Sequence, residues 1–267
     1  MLITKSQVKY IQSLAHKKFR DTEGVFVVEG PKIVEELLRA GNPPPIQVYA
    51  LPEWTGSLPA ALRKVLTDTT GDRSDAAVLT PVNAAELERL SSLATPNQVV
   101  AVFKKPLFSP AAFDKGVHLV LDGIQDPGNL GTIVRLADWF GIATVLCSPD
   151  SADVFNPKAV QSTMGSISRV QVVYEDPGPV IGRSGLPVYA ALLAGEGLYG
   201  MGRIDRGFIA IGNESKGLRP ELQQLATHRV TIPRVGQAES LNAAVATGII
   251  LSHLVGGYSP TRLTPHD

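Results

Sequence analysis

Apolar residues at helical spacing open the chain. Val8, Ile11 and Leu14 or Ala15 recur between Lys5 and Arg20, which predicts an amphipathic helix over that stretch. The β-branched run Val25 to Gly30 follows and predicts a strand. PKIVEELLRAG then predicts a helix, with Pro31 in its first turn and Gly41 at its end. The alternation continues more weakly: a strand at Ile46 to Leu51, a helix near Pro59 to Leu66, a strand near Ala77 to Leu79, a helix near Ala84 to Leu90, and a strand at Gln98 to Phe103. Lys104 to Gly116 carries two prolines and no periodicity, and reads as a domain boundary.

The second half alternates again. Strands are expected in VHLVLDG, ATVLC, RVQVVY, PVYAALL, FIAIG and RVTIP. Helices are expected from about Asn129 to Phe140, from Pro157 to Met164, and from Ser240, placed as the helix cap, to Val255. Such alternation argues for an α/β fold with a mainly parallel sheet and helices on both faces, whose ligands sit at the carboxyl ends of strands. The uncharged run Leu241 to Thr261 is broken by Asn242, Ser252, His253, Gly256 and Gly257. It is too interrupted to span a bilayer and reads as a buried helix.

Charge narrows the function classes. The 267 residues carry 25 basic and 25 acidic side chains, a net charge of zero, which excludes indiscriminate polyanion binding by the whole surface. The balance hides a local feature. Lys5, Lys9, Lys17, Lys18 and Arg20 stand on the first predicted helix with no acidic residue among them, a candidate RNA-binding face or a plain solvated one. Residues 1–110 sum to +2 and residues 111–267 to −2. The single cysteine, Cys147, can form no internal disulfide and no thiolate zinc site, so a reducing, cytoplasmic address is expected.

Gly195, Gly197 and Gly200 have the spacing of a dinucleotide-binding fingerprint after the strand PVYAALL. Only a short link separates them from FIAIG, however, so no helix fits to present its N-terminus to a pyrophosphate. Phosphate-loop, metalloprotease, nucleophile-elbow and kinase motifs are missing from the sequence, and the histidines are scattered, so no metal is expected; His253 reads as a core or interface residue.

Three strings carry residues that plain turns do not need. LDGIQDPGNLGTIVRLADWFG opens a helix near Asn129, which suits a cap, and places Arg135 among Ile133, Val134, Leu136 and Ala137. An arginine on so apolar a helix pairs with a carboxylate or recognises a phosphate. FIAIGNESKGL sets Glu214 just past a strand. VTIPRVGQAESLNAAVATGIILSHL leads through Ser240, Leu241 and Asn242 into a helix of small residues.

Together the three strings, over about Val117 to Gly257, resemble the signature motifs of the SpoU-type (TrmH-like) RNA ribose 2′-O-methyltransferases of the SPOUT superfamily. Residues 1–105 resemble, more loosely, the RNA-binding domain that often precedes the catalytic domain there, with a fold similar to ribosomal kink-turn-binding proteins. The resemblance implies domains at 1–105 and 117–267 with a linker at 106–116, and a catalytic domain tied in a deep trefoil knot. It implies S-adenosyl-L-methionine as cofactor, held by Leu192, Gly212, Ile232, Leu241 and Asn242. It further implies a catalytic set of Arg135, Asn129, Glu214, Ser240 and Asn242, with Arg135 also touching RNA, and a homodimer in which Arg135 reaches the partner's cofactor site. Ribosomal RNA is favoured as substrate. A transfer RNA substrate and an inactive RNA-binding member of the fold are the alternatives, with a dinucleotide-dependent oxidoreductase as a rival outside the family. Ser215 departs from the pattern: many members have a second glycine after the glutamate.

Overall fold

A computed structural model of the chain describes residues 3–67 and 79–256. Of the expected strand near Ala77 to Leu79, residues 77 and 78 lie outside the described residues, as does the end of the uncharged run beyond Gly256. Two compact units are formed. The first holds the residues up to Pro110 together with Asp126–Arg135 and Ala152–Gln171. The second holds Ala111–Gln125, Leu136–Ser151 and the chain from Val172 onward.

In the N-terminal stretch the elements run α1 (Lys5–Ser13), α2 (Lys17–Glu23), β1 (Val25–Glu29), α3 (Pro31–Ala40), β2 (Pro45–Ala50), α4 (Pro52–Ser57), α5 (Ala60–Thr67), β3 (Leu79–Pro81), α6 (Ala84–Leu90) and β4 (Val99–Lys104). Their strands make a mixed sheet in the order β1-β4-β2-β3, with β4 antiparallel to both β1 and β2 and β2 parallel to β3. Ile11, Leu14, Val27, Val100, Val102 and Leu87 close a core with it.

The single basic helix expected from Lys5 to Arg20 is two helices. His16 is extended between them, and the guanidinium of Arg20 explains the break. Its Nη1 donates to the carbonyls of Leu14 (2.8 Å) and Ala15 (2.7 Å), while Nη2 pairs with Asp153 at 2.6 Å. Arg20 is only 2% exposed. It is therefore structural, and the expectation that it binds RNA is corrected: the carbonyls that end α1 and the carboxylate of Asp153 occupy it.

The chain continues through β5 (Val117–Asp122), α7 (Pro127–Trp139), β6 (Thr144–Cys147), α8 (Pro157–Thr163), β7 (Gln171–Tyr174), α9 (Pro177–Ser184), β8 (Val188–Gly197), β9 (Gly207–Gly212), α10 (Pro220–Gln224), β10 (His228–Thr231) and α11 (Ala243–Leu254). These strands form one sheet in the order β10-β8-β9-β5-β6-β7. The pairs β10–β8, β8–β9, β9–β5 and β5–β6 are all parallel, as the continuous apolar strands anticipated. Val120, Leu146, Val188, Phe208 and Ala210 from the strands pack with Val180, Ile181 and Leu222 from helices. Cys147 is wholly buried there, and burial pushes its thiol up, away from reactivity. Among the described residues no helix is long and apolar enough to cross a membrane.

Candidate active site

Because β10, β8 and β9 are neighbours, the loops that follow their carboxyl ends lie side by side within the second unit. The first loop is built into a strand. Pairing of β8 with β10 runs His228 to Tyr189 and Arg229 to Ala190, then jumps to Val230 with Glu196. Residues 191–195 are thus left out of register, with Leu192 half-buried and Leu193 82% exposed. Gly195 is required where the strands close again, since a Cβ would stand 2.4 Å from the carbonyl oxygen of Arg229. A single 3-10 turn, Leu198–Gly200, follows, and β9 begins at Gly207. The glycine run therefore does not open a helix, in keeping with the rejection of a dinucleotide site.

The second loop is a hairpin on itself. Asn213 bridges to Gly217, and its Oδ1 accepts from the backbone N–H of Ser215 (3.0 Å) and Lys216 (3.1 Å). Its Nδ2 donates to the carbonyl of Gly123 at 2.8 Å, which ties the loop to the end of β5. Gly212 has no room for a side chain: a Cβ would lie 2.2 Å from backbone atoms of Gly217 and Leu218. Glu214 projects from this loop half-buried.

A clamp overlooked in the sequence completes the hairpin. Asp122, only 2% exposed at the end of β5, accepts from the backbone N–H of Arg219 (2.7 Å) and from its Nε (2.6 Å). That hydrogen bond to Asp122 raises the guanidinium's pKa further above its ordinary value. Asp150 stands 4.0 Å from the Arg219 Nη2, and a hydrogen bond from Ser148 is the main reason its carboxyl lies below the usual range. The signal was present, an aspartate at a strand end before a glycine, but its partner lies 97 residues away.

The third loop runs past half-buried Ile232 to Ser240 and Leu241, both exposed. Asn242 caps α11, its Oδ1 accepting from the N–H groups of Ala244 (2.9 Å) and Val245 (3.2 Å). The cap expected at Ser240 is corrected to Asn242, because the chain remains extended until that residue.

Asn129 and Arg135 are counted with the first unit. Here too the cap shifts. Asp126 Oδ1 accepts from the N–H of Asn129 at 2.9 Å, so Asn129 sits inside the first turn of α7 and Asp126 takes the role expected of it. Asp126 Oδ2 holds Lys158 Nζ at 2.6 Å, and this ammonium, followed by the Asn129 N–H, keeps the carboxyl below its usual range. At Gly131 a Cβ would stand 2.3 Å from the carbonyl of Ala159, so α7 and α8 touch backbone to backbone.

Arg135 does not lie on a buried face as its neighbours suggested. Leu130, Ile133, Val134 and Ala137 are fully buried, which turns Thr132, Arg135 and the 81%-exposed Trp139 outward on the opposite side of the helix. An exposed guanidinium is available to a ligand. Lys5, Lys9, Lys17 and Lys18 are also exposed, with Lys17 paired to Asp21 at 2.7 Å.

The α/β fold thus sets glycine-dependent loops at adjacent parallel strand ends, and an exposed arginine stands on the helix of the first motif. The comparisons with known proteins say which class of protein carries them. The SpoU rRNA methylase family model matches residues 116–252, and an MRM3-like substrate binding domain matches residues 5–101. The chain belongs to the SpoU rRNA methylase family, with an MRM3-like substrate-binding domain before its methylase domain.

Over 254 residues it is 31% identical to the 23S rRNA (guanosine(2553)-2′-O)-methyltransferase RlmP of Bacillus subtilis, across 94% of this chain and 96% of that protein. It superposes on the AdoMet-bound rRNA methyltransferase from Sinorhizobium meliloti with a TM-score of 0.79 at 29% identity, covering 94% of each chain. The SpoU methyltransferase AviRb of Streptomyces viridochromogenes in complex with AdoMet gives 0.76 at 26% identity, over 94% of this chain and 97% of that one.

Proposed function

We propose that the chain transfers a methyl group from S-adenosylmethionine to a ribose 2′-hydroxyl of ribosomal RNA. The observation that carries this reading is that three loops lie side by side at the ends of β8, β9 and β10, the last two carrying the second and third motifs, in a chain of the SpoU family. Residues 117–267 act as the catalytic domain and residues 1–105, joined by 106–116, bind RNA through Lys5, Lys9, Lys17 and Lys18. The N-terminal fold is related to ribosomal kink-turn-binding proteins, and the catalytic chain threads a trefoil knot through its last three loops. The protein acts in the cytoplasm.

S-adenosylmethionine supplies an electrophilic sulfonium methyl. The residues present fit its adenosine half: Leu192, Gly212, Ile232 and Leu241 offer backbone N–H and C=O groups beside aliphatic walls, which suffice to read an uncharged base, and Asn242 adjoins them. What the chain adds is alignment of the hydroxyl oxygen and polarisation of its O–H, whose proton passes to solvent. The guanidinium of Arg135 is a hydrogen-bond donor with no acceptor atom. It therefore holds the phosphate beside the target ribose and donates to the hydroxyl rather than accepting from it. Asn129, Glu214, Ser240 and Asn242 complete the polar set. The active form is a homodimer in which Arg135 serves the partner's cofactor site. Half-exposed Val245, Ile249 behind it and 65%-exposed Tyr199 offer an apolar face for that contact.

Isothermal titration with S-adenosylhomocysteine tests the cofactor assignment. The wild-type chain is expected to bind it without responding to NAD. Gly212→Ala, which forces a methyl into the hairpin backbone, is expected to bind at least about tenfold more weakly, a loss of ~1.4 kcal/mol. Full affinity in Gly212→Ala would remove Gly212 from the cofactor site.

A further inference from the structure

Away from the motif loops, the first unit contains a cleft of about 500 Å3. Val27, Leu93 and Pro157 give it apolar walls, and Asn156, Gln161 and Ser162 give it polar edges. Beside it lies Gly30, whose φ of +95° and missing side chain leave bare backbone. A Cβ there would stand 3.9 Å from both Asn97 Nδ2 and Gln161 Nε2, so two side-chain amides converge on one unfilled spot. Neither amide donates a hydrogen bond within the fold among the described residues.

Charge decides what the cleft can hold. Glu29 lines it, only 5% exposed, with a carboxylate that accepts from Ser91 Oγ, from the Ser92 N–H at 3.0 Å and from Ser92 Oγ. These bonds fix the 91–93 wall, and the negative charge beside the cleft repels a phosphate. Lys158, the one cation in the lining, is neutralised by Asp126 at 2.6 Å. The occupant favoured by these groups is uncharged and flat, with faces for apolar walls and an edge for amides. A nucleobase has those properties, and the volume suits one.

We infer that this cleft receives a single unstacked base of the RNA substrate and that Gln161, with Asn97, reads its edge. The inference rests on the reading of the chain as an RNA methyltransferase. Lys158 connects the cleft to Asp126, which caps the helix carrying Asn129, so the base bound here neighbours the nucleotide presented to that helix. The cleft then contributes to the choice of methylation site.

Saturation-transfer NMR on the full chain, with S-adenosylhomocysteine saturating its own site, tests this with each of the four uncharged ribonucleosides. Base-proton signals are expected for at least one nucleoside. They disappear in Gln161→Phe, which fills the cleft, and weaken in Asn97→Ala, which removes an amide from an exposed position. Both variants keep wild-type affinity for S-adenosylhomocysteine, and Gln161→Phe raises KM for ribosomal RNA about tenfold. Signals absent for all four nucleosides, or surviving intact in both variants, would overturn the inference. Base binding in a chain that methylates no RNA would sink the functional reading and leave this one standing. Methylation with unaltered KM in both variants would do the reverse.

Discussion

Arg135→Ala lowers the single-turnover rate of methyl transfer to ribosomal RNA by about 10²–10³-fold, the effect of removing one positioned donor from a transition state. The same substitution leaves affinity for S-adenosylhomocysteine unchanged and shifts unfolding by no more than about 0.5 kcal/mol. The separation follows from where the side chain stands. Arg135 is on the exposed stripe of α7 while Ile133 and Val134 beside it fill the core, so alanine costs the fold neither packing nor burial. Arg135→Lys keeps the charge and loses the planar fork that holds a phosphate in two bonds, so its rate falls between the two. A wild-type rate in Arg135→Ala would show that the guanidinium has no part in the transfer.

Asp153→Ala destabilises the protein by about 3–5 kcal/mol, because it leaves the charge of Arg20 buried without its counter-ion. Arg20 is 2% exposed and Asp153 holds its Nη2 at 2.6 Å. Among the described residues the Nε of Arg20 already lacks a partner, so the remaining bonds to the carbonyls of Leu14 and Ala15 cannot satisfy the group. Arg20→Met, which replaces the charge by an apolar chain of similar length, costs less than Asp153→Ala. Denaturant unfolding followed by fluorescence reads this, since Trp54 is 2% exposed and reports on the first unit while Trp139 is already in solvent. Equal midpoints for Asp153→Ala and wild type would mean that the pair contributes nothing to the fold.

Arg20 also marks the limit of reading this sequence. Its neighbours Lys17 and Lys18 are exposed as charge alone predicts, and nothing local distinguishes the arginine from them. Its partner lies 133 residues along the chain, and burial set by so distant a carboxylate leaves no trace in periodicity. The strands, by contrast, were legible because short apolar, β-branched runs such as FIAIG, bounded by glycine, suit a doubly covered parallel sheet. Three short helices escaped, α4, α9 and α10, each with proline at its start. In the first turn proline's fixed φ and missing N–H favour a helix, but helices of five to eight residues leave too little periodicity to be read.

At the candidate site the residues of the three motifs were legible, and the devices that hold them were not. Caps moved by two or three residues, from Asn129 to Asp126 and from Ser240 to Asn242, since several capping side chains compete in each stretch and only the backbone decides among them. The Asp122–Arg219 clamp and the Asn213 turn likewise join strand ends that are distant in sequence. Arg135 was singled out for its apolar neighbours, but they turn inward and leave it exposed, because a helix puts adjacent residues on different faces.

The central claim, methylation of a ribose in ribosomal RNA, is tested most directly by mapping ribose 2′-O-methylations across the ribosomal and transfer RNAs of cells with and without the gene. A single ribosomal RNA site is expected to lose its methyl group, and to regain it when the wild-type chain but not Arg135→Ala is restored. Identical ribosomal RNA maps, or a loss confined to transfer RNA, would contradict the account.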